Sequence, residues 1–218
     1  MGSRFFSILI LASGPACAGE IVDRLAVTAG QQAITVSEIL HHIRLTAFLN
    51  REPVNLSPEA KRQAAERLIE QGLIRREMEL SRYALPGIVE VEPLLDELKK
   101  DPRLAGDGAF QRELARYGIS ESDLRERLLW QITLLRFVEY RFRPGVQVPE
   151  QVVAAYYTRQ LLPQWNKQRP GEPAPSLAER RLMIEELLAQ KLVDEALDRW
   201  LKQSRSQTKI RFLEEAFR

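Results

Sequence analysis

The sequence predicts a mainly α-helical fold: a multi-helix domain with a small antiparallel sheet formed by an N-terminal hairpin and a C-terminal strand. Apolar residues recur at helical spacing over most of the 218 residues. Two short apolar runs around a glycine turn precede the first helical pattern. The chain then leaves the helical pattern in "TKIRFL", residues 208–213, where charged and apolar residues alternate as in a half-buried strand.

Residues 1–18 are predicted to be an export signal that does not belong to the fold. Arg4 supplies the positive charge, residues 5–12 the apolar segment, and Ala16-Cys17-Ala18 the small-residue cleavage site. An N-terminal membrane anchor is disfavoured, because this apolar segment is far shorter than the ~20 residues that span a bilayer. We therefore expect a periplasmic protein whose mature chain, residues 19–218, forms one domain.

The composition limits the classes of function. Cys17 is the only cysteine, so the mature chain has no disulfide and must rely on its hydrophobic core. The formal net charge is +2, and acidic and basic residues alternate throughout. Such a surface is typical of a solvated protein and not of one that binds nucleic acid. No other segment is apolar enough to predict a membrane span.

The N-terminal hairpin is expected to need a partner, because two strands alone are only marginally stable. Gly30-Gln31 can form the central pair of a type II′ turn between its strands. The alternation in residues 208–213 makes that segment the predicted third strand. The residues expected to face the helices are Leu25, Val27, Ile34, Ile210 and Phe212.

Helix starts are marked by capping boxes, of which Thr35–Glu38 and Ser176–Glu179 are the clearest. Gly118 is expected to end one helix in the left-handed conformation. Leu94, Leu135 and Leu187 are assigned to the buried stripes of their helices. The predicted helices run over about 36–49, 58–83, 90–100, 108–117, 121–143 and 150–162, and from 177 for roughly 28 residues.

Residues 163–176, "PQWNKQRPGEPAPS", are predicted to be a linker. Four prolines in fourteen residues, with few apolar side chains, favour an extended connection over a helix.

The order of these segments resembles the N-terminal domain of SurA-type periplasmic chaperones. The similar stretches are "VDRLAV…AITVSEIL", "AAERLIEQGLIRREMEL", "YGISESDLRERLLWQITLLRFVE" and "VPEQVVAAYY". The closing "IEELLAQKLVDEALDRWLKQSRSQTKIRFLE" resembles the terminal helix and strand that complete that domain. Family members usually carry parvulin-type prolyl isomerase domains where this chain has only residues 163–176. The resemblance therefore implies a chaperone without an isomerase domain.

Catalytic and metal-binding patterns are weak. His41 and His42 are neighbours on a predicted helix and point ~100° apart, so they cannot chelate one ion. The carboxylate pairs 185–186, 194–195 and 214–215 lie in charge-rich segments, where a solvated face is the default. We expect no enzyme, no cofactor and no metal site.

Three hypotheses of function remain from the sequence. The first is an ATP-independent holdase whose partners are unfolded polypeptides, mainly outer-membrane proteins. The second is an adaptor of an envelope complex with one folded partner, and the third is a degenerate isomerase with residual activity. Apolar residues outside the narrow stripes are candidates for contact with clients, since methionine and aromatics suit a surface that accepts many sequences. They are Phe48, Leu49, Met78, Trp130, Tyr157 and Trp165.

Overall fold

The computed structural model describes residues 23–106 and 108–218. The predicted export signal, residues 1–18, lies outside the described residues. No helix in the described part of the chain is both long enough and apolar enough to cross a bilayer.

The fold is mainly α-helical with one small sheet, as predicted. Short 3₁₀ turns at Ile88–Val91, Pro102–Leu104 and Arg143–Gly145 lie between helices. In chain order the strands and helices are β1 (Leu25–Ala29), β2 (Gln32–Thr35), α1 (Val36–Asn50), α2 (Pro58–Leu80), α3 (Glu92–Lys99), α4 (Ala109–Tyr117), α5 (Glu121–Phe142), α6 (Glu150–Tyr156), α7 (Leu162–Gln168), α8 (Leu177–Gln207) and β3 (Ile210–Phe212).

The sheet joins the two ends of the described chain, which confirms the predicted partner of the hairpin. Its strand order is β2-β1-β3, and both pairs are antiparallel. Val27 lies opposite Ile34 on one side and opposite Phe212 on the other. Gly30 has a φ of 61° and Gln31 has no positive φ, the signs of a type II′ turn.

The 3₁₀ turn Glu214–Phe217, which the sequence analysis missed, completes the cover of this sheet. Leu213 N donates to Ala26 O at 2.9 Å and holds the turn against β1. The Phe217 ring is buried, and its centroid lies 5.8 Å from that of Phe212. The terminal residues thus belong to the core that α1 and α2 form under the sheet.

The helix starts follow the predicted chemistry. Thr35 Oγ1 accepts from Glu38 N at 3.3 Å, and Glu38 Oε2 accepts from Thr35 N at 2.7 Å, which completes the capping box. The same reciprocal pair forms between Ser176 and Glu179 at the start of α8. Gly118 ends α4 with a φ of 66°.

The prediction of a linker over residues 163–176 is wrong in its first half. The helix α6 continues through a π-helical turn, Tyr157–Leu161, into α7, so only residues 169–176 are not helical. Pro163 has no N–H to donate to a carbonyl one turn back, and its ring would crowd that carbonyl. A π turn widens the helix one turn before Pro163 and accommodates the ring.

The prediction that three leucines lie on the buried faces of their helices is also wrong. Leu94, Leu135 and Leu187 are exposed, although Leu95, Val138 and Val193 on the same helices are buried. The neighbouring elements therefore cover only part of each apolar face.

Candidate functional site

The six predicted client-binding residues fall into three separate places. Met78 and Trp130 lie together between α2 and α5. Phe48 and Leu49 end α1 against α4 and α5. Tyr157 and Trp165 lie on the α6–α7 helical run.

Phe48 belongs to the hydrophobic core. Its side chain is 4% exposed and meets the Tyr117 ring edge-to-face at 5.6 Å. Leu49 packs partly against the same core. Phe48 does not line the cavity between α2 and α5 that Met78 and Trp130 line, so it is not part of the candidate site.

The candidate site is an open cavity of about 400 Å³ between the C-terminal half of α2 and the middle of α5, which we name the α2–α5 groove. Its apolar lining is Met78, Tyr83, Leu85, Pro86, Leu129 and Trp130. Its polar and charged lining is Arg75, Glu79, Arg82, Glu126 and Thr133.

The floor of the groove consists of two buried side chains with polarisable surfaces. Met78 is 4% exposed and Trp130 8%, so both side chains are fixed in the core and show only an edge to the groove. The Arg75 guanidinium carbon lies 4.4 Å from the centre of the Trp130 ring, a cation–π contact at the rim. A thioether and an indole give polarisable surface that suits many apolar side chains.

One wall of the groove is the segment 81–87, and the end of α2 explains its course. Arg82 takes the left-handed conformation with a φ of 52°. Arg82 N donates to Glu79 O at 3.1 Å and Tyr83 N donates to Met78 O at 3.0 Å, the two bonds of a Schellman motif. This motif ends α2 and turns the chain towards α5.

Tyr83 anchors that wall on α5. Its ring centroid lies 5.2 Å from those of both Phe137 and Tyr140. The turn leaves Leu85 68% exposed beside the floor. Further exposed apolar side chains of this region are Leu80, Ile88, Val89 and Leu94.

Sequence reasoning found the floor of the groove but missed its wall. The only available signal was the density of apolar residues in "LSRYALPGIV", residues 80–89, which continues beyond the end of the helix.

Tyr157 and Trp165 lie next to the 169–176 segment. Tyr157 Oη donates to Pro175 O at 2.8 Å and ties that segment to the helix. The guanidinium carbons of Arg169 and Arg180 lie 4.6 Å and 5.8 Å from the centroid of the Trp165 ring. Both side chains are half-buried, and neither lines the α2–α5 groove.

The two histidines have different surroundings. His41 Nε2 lies 3.7 Å from a carboxylate oxygen of Asp123 at the surface. His42 is buried, and burial together with the charges of Arg127, Arg67 and His41 lowers its pKa to about 4. Within residues 23–106 and 108–218, no cluster of three histidine, cysteine or acidic side chains has the geometry to hold a metal ion.

The comparisons with known proteins add no assignment. Neither the protein-family models nor the curated proteins give a match to this chain. The resemblance to SurA-type chaperones therefore rests on the sequence segments quoted above, and function has to be argued from the α2–α5 groove.

Proposed function

We propose that this protein is an extracytoplasmic, ATP-independent chaperone that holds unfolded outer-membrane or secreted proteins. The observation that carries the proposal is the α2–α5 groove, where a fixed floor of Met78 and Trp130 lies beside an exposed apolar wall around Leu85. The resemblance to the SurA-type family supports the same function. Placement in the periplasm follows from the predicted export signal.

The groove fits an extended chain better than a folded partner. Its open cavity of about 400 Å³ has room for a few side chains, not for a protein surface. Each large apolar side chain that a client buries contributes roughly 1.5–3 kcal/mol before the cost of ordering the chain. Such binding is weak at each site and quickly released, as holding an unfolded client requires. It acts by mass action on the folding equilibrium of the client.

Aggregation assays with matched variants test this proposal. The mature protein should slow the aggregation of several unrelated denatured outer-membrane proteins. Leu85→Ser should reduce that protection, because it removes exposed apolar surface from the wall of the groove. Leu182→Ser is the control, since Leu182 is 79% exposed on α8 and does not line the groove. If the two variants protect equally well, the groove is not the client site.

A second candidate function, an adaptor with one folded partner, is favoured by a different surface. Val152 on α6 and Leu182, Met183 and Leu187 on α8 are all exposed. Exposed apolar residues on neighbouring helices are typical of an interface with a folded protein. An adaptor would ignore the denatured panel and co-purify with one partner, and Leu182→Ser would then weaken that association while Leu85→Ser would not.

A further inference from the structure

One apolar face of α8 is left uncovered by the rest of the described chain. Leu187 is 45% exposed and Met183, one turn earlier, is 46% exposed. The two side chains are neighbours, because residues four apart lie on the same side of a helix. Ile184 and Val193 on the same helix are fully buried and fix how α8 sits on the fold. We name the surface around Leu187 the α8 face; it comprises Arg180, Met183, Leu187, Gln190, Lys191 and Asp194.

The α8 face has one positive and one negative charge at equal distances from Leu187. Arg180 lies seven residues before Leu187 and Asp194 seven residues after it. Seven residues are about two helical turns, so each charge lies about 10 Å along the axis from Leu187 and within about 20° of it around the helix. The apolar centre of the face is therefore flanked by opposite charges on one line.

These two charges are not used in an ion pair within the described chain. The Arg180 guanidinium carbon lies 5.8 Å from the centroid of the Trp165 ring, and Gln190 Nε2 donates to Asp194 Oδ1 at 3.2 Å. Neither Arg180 nor Asp194 has an ion-pair partner among residues 23–106 and 108–218.

The other charges beside the α8 face do have partners. Arg143 Nη1 donates to Glu186 Oε1 at 3.1 Å, and Lys191 Nζ lies 4.0 Å from Glu195 Oε1. The charges that the face offers to a partner are therefore those of Arg180 and Asp194.

We propose that the α8 face is the contact between two copies of this protein, with their α8 helices antiparallel and crossing at Leu187. A two-fold contact uses the same surface on both copies, so that surface must be complementary to itself. With the symmetry axis at Leu187, residue 180 of one helix lies opposite residue 194 of the other. Arg180 of each copy then pairs with Asp194 of the second copy, and Leu187 packs against its own counterpart.

The arrangement of the charges favours a second copy over other occupants. Antiparallel helices pair Arg180 with Asp194 twice, whereas parallel helices would place each charge opposite its like. An unfolded client needs apolar surface but no pair of charges at equal distances from its centre. None of the residues that line the α2–α5 groove belongs to the α8 face, so the proposal is independent of the proposed function.

The size of the α8 face predicts a weak dimer. Its apolar part is two partly exposed side chains from each copy, Met183 and Leu187. Contacts that bury less than about 1,200 Å² in total are typical of weak and transient association. We therefore expect a dissociation constant on the order of 10–100 μM.

Sedimentation equilibrium of the mature protein between about 1 and 300 μM tests for this dimer. Leu187→Glu should abolish association, because it places two carboxylates against each other at the symmetry axis. Leu182→Ser is the control, since Leu182 is 79% exposed but points about 140° away from Leu187 on the helix. A monomer at every concentration would overturn the proposal. So would a dimer that Leu182→Ser weakens and Leu187→Glu does not.

Exchange of the two charges tests the antiparallel pairing itself. Arg180→Asp and Asp194→Arg should each raise the dissociation constant about tenfold, because each places like charges opposite one another in both pairs. An equimolar mixture of the two variants should associate again, since every acid then faces a base. If both variants melt like the unaltered protein and the mixture stays monomeric, the pairing is wrong and the proposal fails. If a charge variant does not fold, the comparison of Leu187→Glu with Leu182→Ser decides.

Discussion

Removing the last eleven residues, 208–218, should destabilise the N-terminal end of the fold. These residues pair with β1 through Val27–Phe212, Thr28–Arg211 and Ala29–Ile210. Backbone bonds extend the pairing at both ends, from Gly30 N to Lys209 O at 3.0 Å and from Leu213 N to Ala26 O at 2.9 Å. Without them, β1 becomes an edge strand with unpaired backbone groups.

The expected loss in the free energy of unfolding follows from the apolar side chains that the deletion removes from the core. Phe217 is 4% exposed, so Phe217→Ala should cost about 3–5 kcal/mol. Phe212 and Ile210 are half-buried and contribute less each. Adding about half of 1.5–3 kcal/mol for each of these two side chains to the cost of losing Phe217 gives roughly 5–8 kcal/mol for the whole deletion. That is a large share of the 5–15 kcal/mol that typically stabilises a domain.

Urea unfolding of five proteins measures this cost: the mature chain, the truncated chain, Phe217→Ala, Phe212→Ala and Arg211→Ala. Arg211 lies on the exposed side of β3, so Arg211→Ala should change the free energy of unfolding by less than about 0.5 kcal/mol. Phe212→Ala should fall between the two alanine variants, because its half-buried ring packs against Phe217 and under the Arg62 guanidinium, 4.6 Å away. A truncated chain that unfolds together with the intact one would show that the terminal segment adds nothing, and the argument would be refuted.

Three further predictions concern export, catalysis and pH. Sequencing of the N-terminus of the protein from its native host should begin at Gly19 or close to it, and an intact Met1 would contradict export. In a proline-limited refolding assay the protein should leave the slow phase unchanged at catalytic concentrations, whereas a saturable acceleration would reveal a retained isomerase. His42 has a pKa of about 4 in the folded protein, below the value of about 6.5 expected when unfolded, so the unfolded state binds the proton first as the pH falls. The free energy of unfolding should therefore decrease between about pH 7 and pH 4, by up to about 3 kcal/mol from this group. His42→Gln should flatten that decrease, and an unchanged pH dependence would show that His42 is not the responsible group.

The sequence correctly predicted the features that depend only on residues close together in the chain. A capping box needs only residues three positions apart, so Thr35–Glu38 and Ser176–Glu179 were correctly identified. The alternation in residues 208–213 was sufficient to predict that the chain leaves the helix and pairs as a strand. The fold class and the closure of the sheet followed from these local signals.

The predictions were wrong for features that depend on how helices and strands distant in the sequence pack together. Periodicity shows which face of a helix is apolar but not how much of that face its neighbours cover, and so Leu94, Leu135 and Leu187 were wrongly placed in the core. The linker prediction weighed the four prolines equally, although Pro163 is accommodated by a π turn and only the later ones follow the end of α7. The burial of His42 could not be predicted, because it depends on which elements pack against α1.

The construction of the α2–α5 groove determines how its function has to be tested. Its floor is shared with the core, because Met78 and Trp130 pack in one cluster with Ile74 and Phe137 and with Leu197 and Trp200 of α8. A substitution in the floor would lower stability and client binding together, and the two effects would be hard to separate. The wall is different, because the exposed Leu85 side chain extends from a segment that Tyr83 anchors on α5. Leu85→Ser should therefore reduce client protection with little change in the free energy of unfolding. If stability falls in parallel with protection, Leu85 supports the fold of the wall, and its role in binding would have to be rejected.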